Sequence, residues 1–280
     1  MTAVLALAGP AVGAATPGLR LTEGPGGTLT VPVVVNGAGP LPFIVDTGSS
    51  HTALTAATAR SLEVPRVAKT ALGTAAGTEW AAVVRLETLR VGPLAADGVL
   101  ATELPAGWLD GLGVAGVLGR DVLAAAPFTL DYSTREISWP QGRTPPADAL
   151  RLDATGPVWT IELPAGAGGL RLVPDSGAEA AVLFDRGQWQ GLRYVGGTRT
   201  IESVTSLSRG RPAVLARLNL AATALVELPV VAVDGADIDR AHGDGLLPLH
   251  LFDRVTFWPR DGRVELIGSP QDRAVLPSFQ

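Results

Sequence analysis

The sequence predicts an all-β protein of two lobes, related by a pseudo-twofold axis and separated by a central cleft. Three observations predict it. The chain holds 34 Gly and 22 Pro among 280 residues, one in five where average usage is about 12%. Punctuation this dense excludes long helices, coiled coils and helical solenoids, and favours short strands joined by turns. Charged residues make up 18%, below the usual ~25%, which fits a large buried core rather than a disordered chain. Finally, one set of landmarks occurs twice, 129 residues apart.

Taken in order, residues 1–19 carry no charged side chain. The run from Ala3 to Ala15 reads either as a clipped export signal without its basic start or as a floppy Ala/Gly tail. The first reading favours a periplasmic or extracellular location over a cytoplasmic one. No later stretch reaches roughly 18 uninterrupted apolar residues, so no membrane span is expected. The N-terminal lobe is expected over 20–139, a Pro-rich linker over 140–149 and the C-terminal lobe over 150–280.

Each lobe opens with a hairpin pattern. In the first, Val31–Val35 turns through Asn36–Pro40 and returns as Leu41–Val45. In the second, Val158–Leu163 turns through Pro164–Gly169 and returns as Leu170–Val173. Each return ends in a similar triplet, Asp46-Thr47-Gly48 and Asp175-Ser176-Gly177. Leu54 and Leu183 keep the offset, as do the tetrads ending at Gly119 and Pro248. Each lobe then closes on a hairpin: Phe128–Tyr132 with Glu136–Trp139, and Val255–Trp258 with Arg263–Ile267. Short helices are expected over Ala56–Leu62 and Arg120–Ala126, the latter stopped by Pro127. A fixed offset kept at separated landmarks points to an internal duplication.

Several function classes fall away. A net charge of −5 argues against a nucleic-acid partner. With no Cys there is no disulfide framework or thiolate nucleophile, and His51, His242 and His250 fit no zinc spacing. No metal and no cofactor are expected. Gly111-Leu-Gly-Val-Ala-Gly116, with Asp131 downstream, matches a dinucleotide fingerprint, but a loop rather than a buried strand precedes it. Ser49, Ser50 and His51 suggest a hydrolase triad, but adjacent residues do not generally face each other and no nucleophile elbow is present.

The paired triplets carry the chemistry. One Asp-Thr-Gly suits an ordinary turn. Two at equivalent places in two related lobes would bring Asp46 and Asp175 side by side. Adjacent carboxyls share a proton, so one can act as a base on water while the other donates. The dyad of aspartic proteases works in this way.

The segment Phe43–Leu54, with Asp46-Thr47-Gly48 at its centre, resembles the active-site strand and loop of aspartic proteases, retropepsins in particular. Val117-Leu118-Gly119 resembles their second signature. The resemblance spans about 20–268 and implies the acid-protease fold, with two lobes fused in one chain as in pepsin. It implies that Asp46 and Asp175 are catalytic, that Thr47 and Ser176 tie the two loops together, and that Gly48 and Gly177 complete each loop. It also implies flaps: Leu72, Gly73, Thr74, Ala75, Ala76 and Gly77 through Thr78 in lobe one, and Glu202–Gly210, including Thr205 and Ser206, in lobe two. The expected activity is endopeptidase cleavage of a peptide or protein substrate by a monomer. Pro174 and Pro248 depart from the family pattern, so the alternative is a catalytically impaired peptide-binding protein on the same scaffold.

Overall fold

The structure is a computed structural model. It describes residues 5–7, 18–24, 27–74, 77–109, 111–165, 168–187, 189, 191–203, 206–220, 223–236 and 238–268.

In the N-terminal part the strands are β1 (Leu5–Leu7), β2 (Leu19–Arg20), β3 (Thr22–Glu23), β4 (Leu29–Val35), β5 (Ala38–Val45), β6 (Ala53–Leu54), β7 (Arg66–Thr74), β8 (Gly77–Val91), β9 (Leu94–Glu103), β10 (Gly116–Leu118), β11 (Phe128–Asp131) and β12 (Glu136–Ser138). Two short helices interrupt them, α1 (Ala56–Ser61) and α2 (Arg120–Leu123). The C-terminal part continues with β13 (Leu150–Asp153), β14 (Thr160–Ala165), β15 (Gly168–Asp175), β16 (Val182–Asp185), β17 (Leu192–Tyr194), β18 (Arg199–Ser203), β19 (Ser206–Leu220), β20 (Thr223–Asp234), β21 (Gly245–Pro248), β22 (Arg254–Trp258) and β23 (Arg263–Ile267).

Local sequence explains the first hairpin. Leu29, Val31, Val33 and Val35 alternate into the core, while Pro32 points to solvent. Asn36 and Gly37 both take positive φ, which a tight two-residue turn requires. The turn is therefore shorter than the Asn36–Pro40 expectation, and β5 begins at Ala38. In lobe two, β14 runs on through Pro164 to Ala165 and pairs it with Gly168, so residues 164, 165, 168 and 169 are strand rather than turn. Helix α1 starts at its Thr55 cap, whose hydroxyl accepts the Thr58 N–H at 3.1 Å. Helix α2 ends at Leu123, well short of Pro127.

Both lobes repeat one topology. In lobe one β10 lies between β5 and β6, parallel to β5 and antiparallel to β6. In lobe two β21 lies between β15 and β16 in the same way. The registers match too: Gly116 pairs with Phe43, and Gly245 pairs with Leu172.

The closing hairpins are not confined to their own lobes. β11 pairs antiparallel with β22 from Phe128–Phe257 to Asp131–Arg254. The order β13-β23-β22-β11-β12-β2 thus joins strands from both parts of the chain in one sheet, which continues through β14. Phe128 of lobe one stacks on Phe257 of lobe two at 4.9 Å between centroids, and Trp159 stacks on Phe257 at 5.3 Å. The hydrophobic core is consequently continuous across the lobe boundary. Near the N-terminus, Leu5–Leu7 pairs with Leu94–Ala96 of β9, and Leu19 pairs with Ile137. Among the described residues no helix is long and apolar enough to cross a membrane.

Candidate active site

Strand alternation decides where Asp46 points. Phe43 and Val45 face the main core and are fully buried, so Ile44 and Asp46 face the opposite side of β5. Because β10 separates β5 from β6, the chain leaving β5 must cross the end of β10, and residues 46–50 make that crossing. The Asp46 N–H donates to the Leu118 carbonyl at 3.1 Å. Its Oδ1 accepts the N–H groups of Gly48 at 2.9 Å and Ser49 at 3.0 Å. In lobe two, Asp175 Oδ1 accepts the Gly177 N–H at 2.8 Å, and the Ala178 N–H also bonds this carboxyl. Backbone donors in each turn thereby offset the cost of burying a carboxylate.

The two turns are tied across the lobe boundary by a reciprocal set of bonds. The Thr47 hydroxyl donates to the Pro174 carbonyl at 2.6 Å and accepts the Ser176 N–H at 3.0 Å. The Ser176 hydroxyl donates to the Val45 carbonyl at 2.7 Å and accepts the Thr47 N–H at 3.0 Å. Thr47 and Ser176 are both buried, so each hydroxyl uses its donor and an acceptor site inside the protein. What this tie needs from the residue before each Asp is its carbonyl, and proline keeps its carbonyl. In lobe one the bond to β10 comes from the N–H of Asp46, not of Val45. The N–H that Pro174 lacks is therefore not the one that serves this junction.

The carboxyls of Asp46 and Asp175 hydrogen-bond to each other. Each glycine lies against the opposite lobe's carboxyl. A Cβ on Gly48 would sit 2.5 Å from Asp175 Cγ, and one on Gly177 would sit 2.9 Å from Asp46 Cγ. Burial pushes the Asp46 carboxyl above the usual carboxylate range, opposed by the Gly48 and Ser49 N–H groups and by the Asp175 bond. Asp175 is pushed well above that range, by burial first and then by the Asp46 charge. Each carboxyl's ionisation is coupled to the other's, so the two titrate as a pair and not as separate groups. The Tyr132 phenol is likewise held protonated, by burial and then by the Asp175 charge.

Lobe one braces its loop with side chains that the sequence marks only as part of a helix candidate. Asp121 Oδ1 accepts the Thr52 N–H at 2.9 Å and hydroxyl at 2.7 Å, and the Gly119 N–H donates to the same hydroxyl at 3.2 Å. An acid directly after Gly119-Arg120, at the start of a short helix, was the available signal. A second apolar cluster, built on Ile44, Ala53, Leu104 and Leu109, lies on the Asp46 side of β5, and Leu72, Trp108, Leu112, Val114 and Val117 pack on it.

Of the expected flap of lobe one, Leu72, Gly73 and Thr74 end β7 and Gly77 starts β8, with Thr74 paired to Gly77. Ala75 and Ala76 lie outside the described residues. In lobe two, Ser206 starts β19 and pairs with Ser203, while Thr205 lies outside the described residues. Gly111 and Gly113 sit in turns and Gly116 opens β10, so the G-x-G-x-x-G run does not join a strand to a helix. One expectation is corrected. Ser50 and His51 do face each other, with Oγ 2.8 Å from Nδ1, but among the described residues no carboxylate hydrogen-bonds to the imidazole.

Residues 31–122, from the first core strand to the helix after Gly119, match the family described as aspartyl protease. The chain is also similar to a solved retropepsin-like aspartic protease from Rickettsia conorii, with 22% identity, 44% of this chain and 89% of that chain covered, and a TM-score of 0.35. No curated protein matches the chain. Residues 31–122 are thus similar in sequence to aspartyl proteases, within a chain that folds almost wholly as β-strands.

Proposed function

We propose that this chain is an aspartic endopeptidase acting as a monomer, in which a duplicated lobe supplies the second half of one site. The observation that carries this reading is the pair of Asp turns held face to face by Thr47 and Ser176, with each turn's glycine against the opposite carboxyl.

In this reading, a water between the carboxyls is the nucleophile. Ionised Asp46 takes its proton as the C–O bond forms, while protonated Asp175 donates a hydrogen bond to the scissile carbonyl oxygen. The proton on Asp46 then passes to the leaving nitrogen as the C–N bond breaks. The cluster around Ile44, Leu72, Trp108 and Leu109 supports an apolar substrate side chain beside the cut. The β7–β8 and β18–β19 hairpins are suited to covering an extended peptide.

The test is cleavage of a mixed peptide library at acidic to neutral pH. Wild type should cut internal bonds, and Asp46→Asn and Asp175→Asn should each abolish cutting while peptide binding persists. Cleavage that survives both substitutions, or none in wild type, would remove the catalytic reading.

A further inference from the structure

The β7–β8 hairpin carries a charge that the proposed chemistry leaves unused. Its register pairs Thr70 with Ala81, Ala71 with Trp80, and Leu72 with Glu79. Directly paired residues project to the same side of a hairpin, and alternate pairs share a face. Thr70, Leu72, Glu79 and Ala81 therefore lie on one face, and Lys69, Ala71, Trp80 and Ala82 on the other. Ala81 is 5% exposed, and Leu72 packs on the apolar cluster at the Asp46 side of β5. The face bearing Glu79 thus turns toward the apolar cluster on the Asp46 side of β5. The other face looks out, as the 73% exposure of Trp80 requires. Trp80 is the conspicuous residue of this hairpin, yet it is turned away from that cluster.

Glu79 is exposed. Among the described residues no hydrogen bond or ion pair engages its carboxylate. Arg66, at the start of β7, is held at 2.7 Å by both oxygens of Glu103. Lys69 projects from the outer face, opposite Ala82. The equivalent hairpin of lobe two has the same register, Ile201 with Ser208, and its second member is uncharged. The unpaired acid is thus a feature of lobe one, beside the apolar cluster and one cross-strand pair from Ala81.

We propose that Glu79 is a specificity-determining residue that recognises a Lys or Arg side chain of an extended peptide, close to the apolar residue seated on Ile44, Leu72, Trp108 and Leu109. This rests on the proposed peptidase reading for its catalytic readout, and on peptide binding alone for its second. An aliphatic stem lying along Leu72 places a cationic head at the Glu79 carboxylate. Because the carboxylate is solvent-exposed, the effect is moderate and falls as salt rises.

The experiment compares two peptides that share an apolar residue at the cut and differ only in Lys or Glu two residues away on either side. Wild type should favour the Lys peptide about fivefold to tenfold in kcat/KM, mostly through KM. Glu79→Gln should erase the preference, Glu79→Lys should reverse it, and kcat should change little. Equal rates for the two peptides in wild type, or an unchanged ratio in Glu79→Lys, would overturn the proposal. The same labelled peptides are titrated against the wild type and Glu79→Lys by fluorescence anisotropy. If wild type cleaves neither peptide, the catalytic reading falls, and Glu79 is decided by binding: a Lys preference reversed in Glu79→Lys upholds it, and equal affinities overturn it.

Discussion

The two lobes hold their aspartates by similar turns but brace those turns by different means. In lobe one the loop after Asp46 is fastened by one side chain and one backbone bond: Asp121 grips Thr52, and the Ser49 carbonyl accepts the Arg120 N–H at 2.9 Å. The places of Thr52 and Asp121 in lobe two are held by Ala181 and His250, so the hydroxyl–carboxylate grip is not repeated there. Lobe two instead anchors a loop further from its aspartate. Arg186, nearly buried, donates to the carbonyls of Gly235 at 3.1 Å and Ile238 at 2.9 Å. Gly119 and Pro248 follow from this difference. A Cβ at Gly119 would collide with the backbone at His51, whereas Pro248 sits as the last residue of β21, paired with Asp175. A glycine is required only where the loop lies tight against it. The lesson is that two turns of similar geometry can be held in place by different surroundings.

That comparison can be broken most severely at the glycines. Gly48→Ala places its methyl nearer a carboxyl than Gly177→Ala does. Displacement of a reacting group by about 1 Å costs about a hundredfold in rate. Gly48→Ala should therefore lower kcat about a hundredfold or more, and Gly177→Ala by less. Steady-state kinetics with thermal melts would check this, and the reverse order would show that the lobes meet differently. A smaller effect is expected from the tie itself. Thr47→Val and Ser176→Ala each remove a buried hydroxyl that bonds across the boundary, at about 1–3 kcal/mol each. Thr47→Ser keeps the hydroxyl and should cost under about 1 kcal/mol. Chemical denaturation of the three variants reads this directly, and a large asymmetry between Thr47→Val and Ser176→Ala would mean that the tie is one-sided.

The features legible in the sequence were those that local chemistry determines. The alternation of Leu29 to Val35, the Asn36-Gly37 turn and the Asp triplets each declare themselves within a few residues. The pairing of β11 with β22 did not, because alternation gives a strand's faces but not its edge partner. The closing hairpins consequently read as belonging to separate lobes. Pro174 stood out as a departure from the family pattern, since sequence shows that its N–H is missing but not which group the fold uses. Arg186 carried no motif, as its partners are backbone carbonyls of a distant loop. Glu79 needed the hairpin register before its side of the strand could be assigned.

The central claim is that carboxyls from two lobes titrate as one pair, and the pH dependence of kcat/KM tests it most directly. Asp46 is raised by burial and Asp175 is raised further by burial and the Asp46 charge. Activity should rise as Asp46 ionises, at a pH above the ordinary carboxylate range, and fall at higher pH as Asp175 loses the shared proton. The account predicts a bell with both limbs. Activity that climbs with pH and never falls, or that rises at the pKa of an unperturbed aspartate, would contradict it.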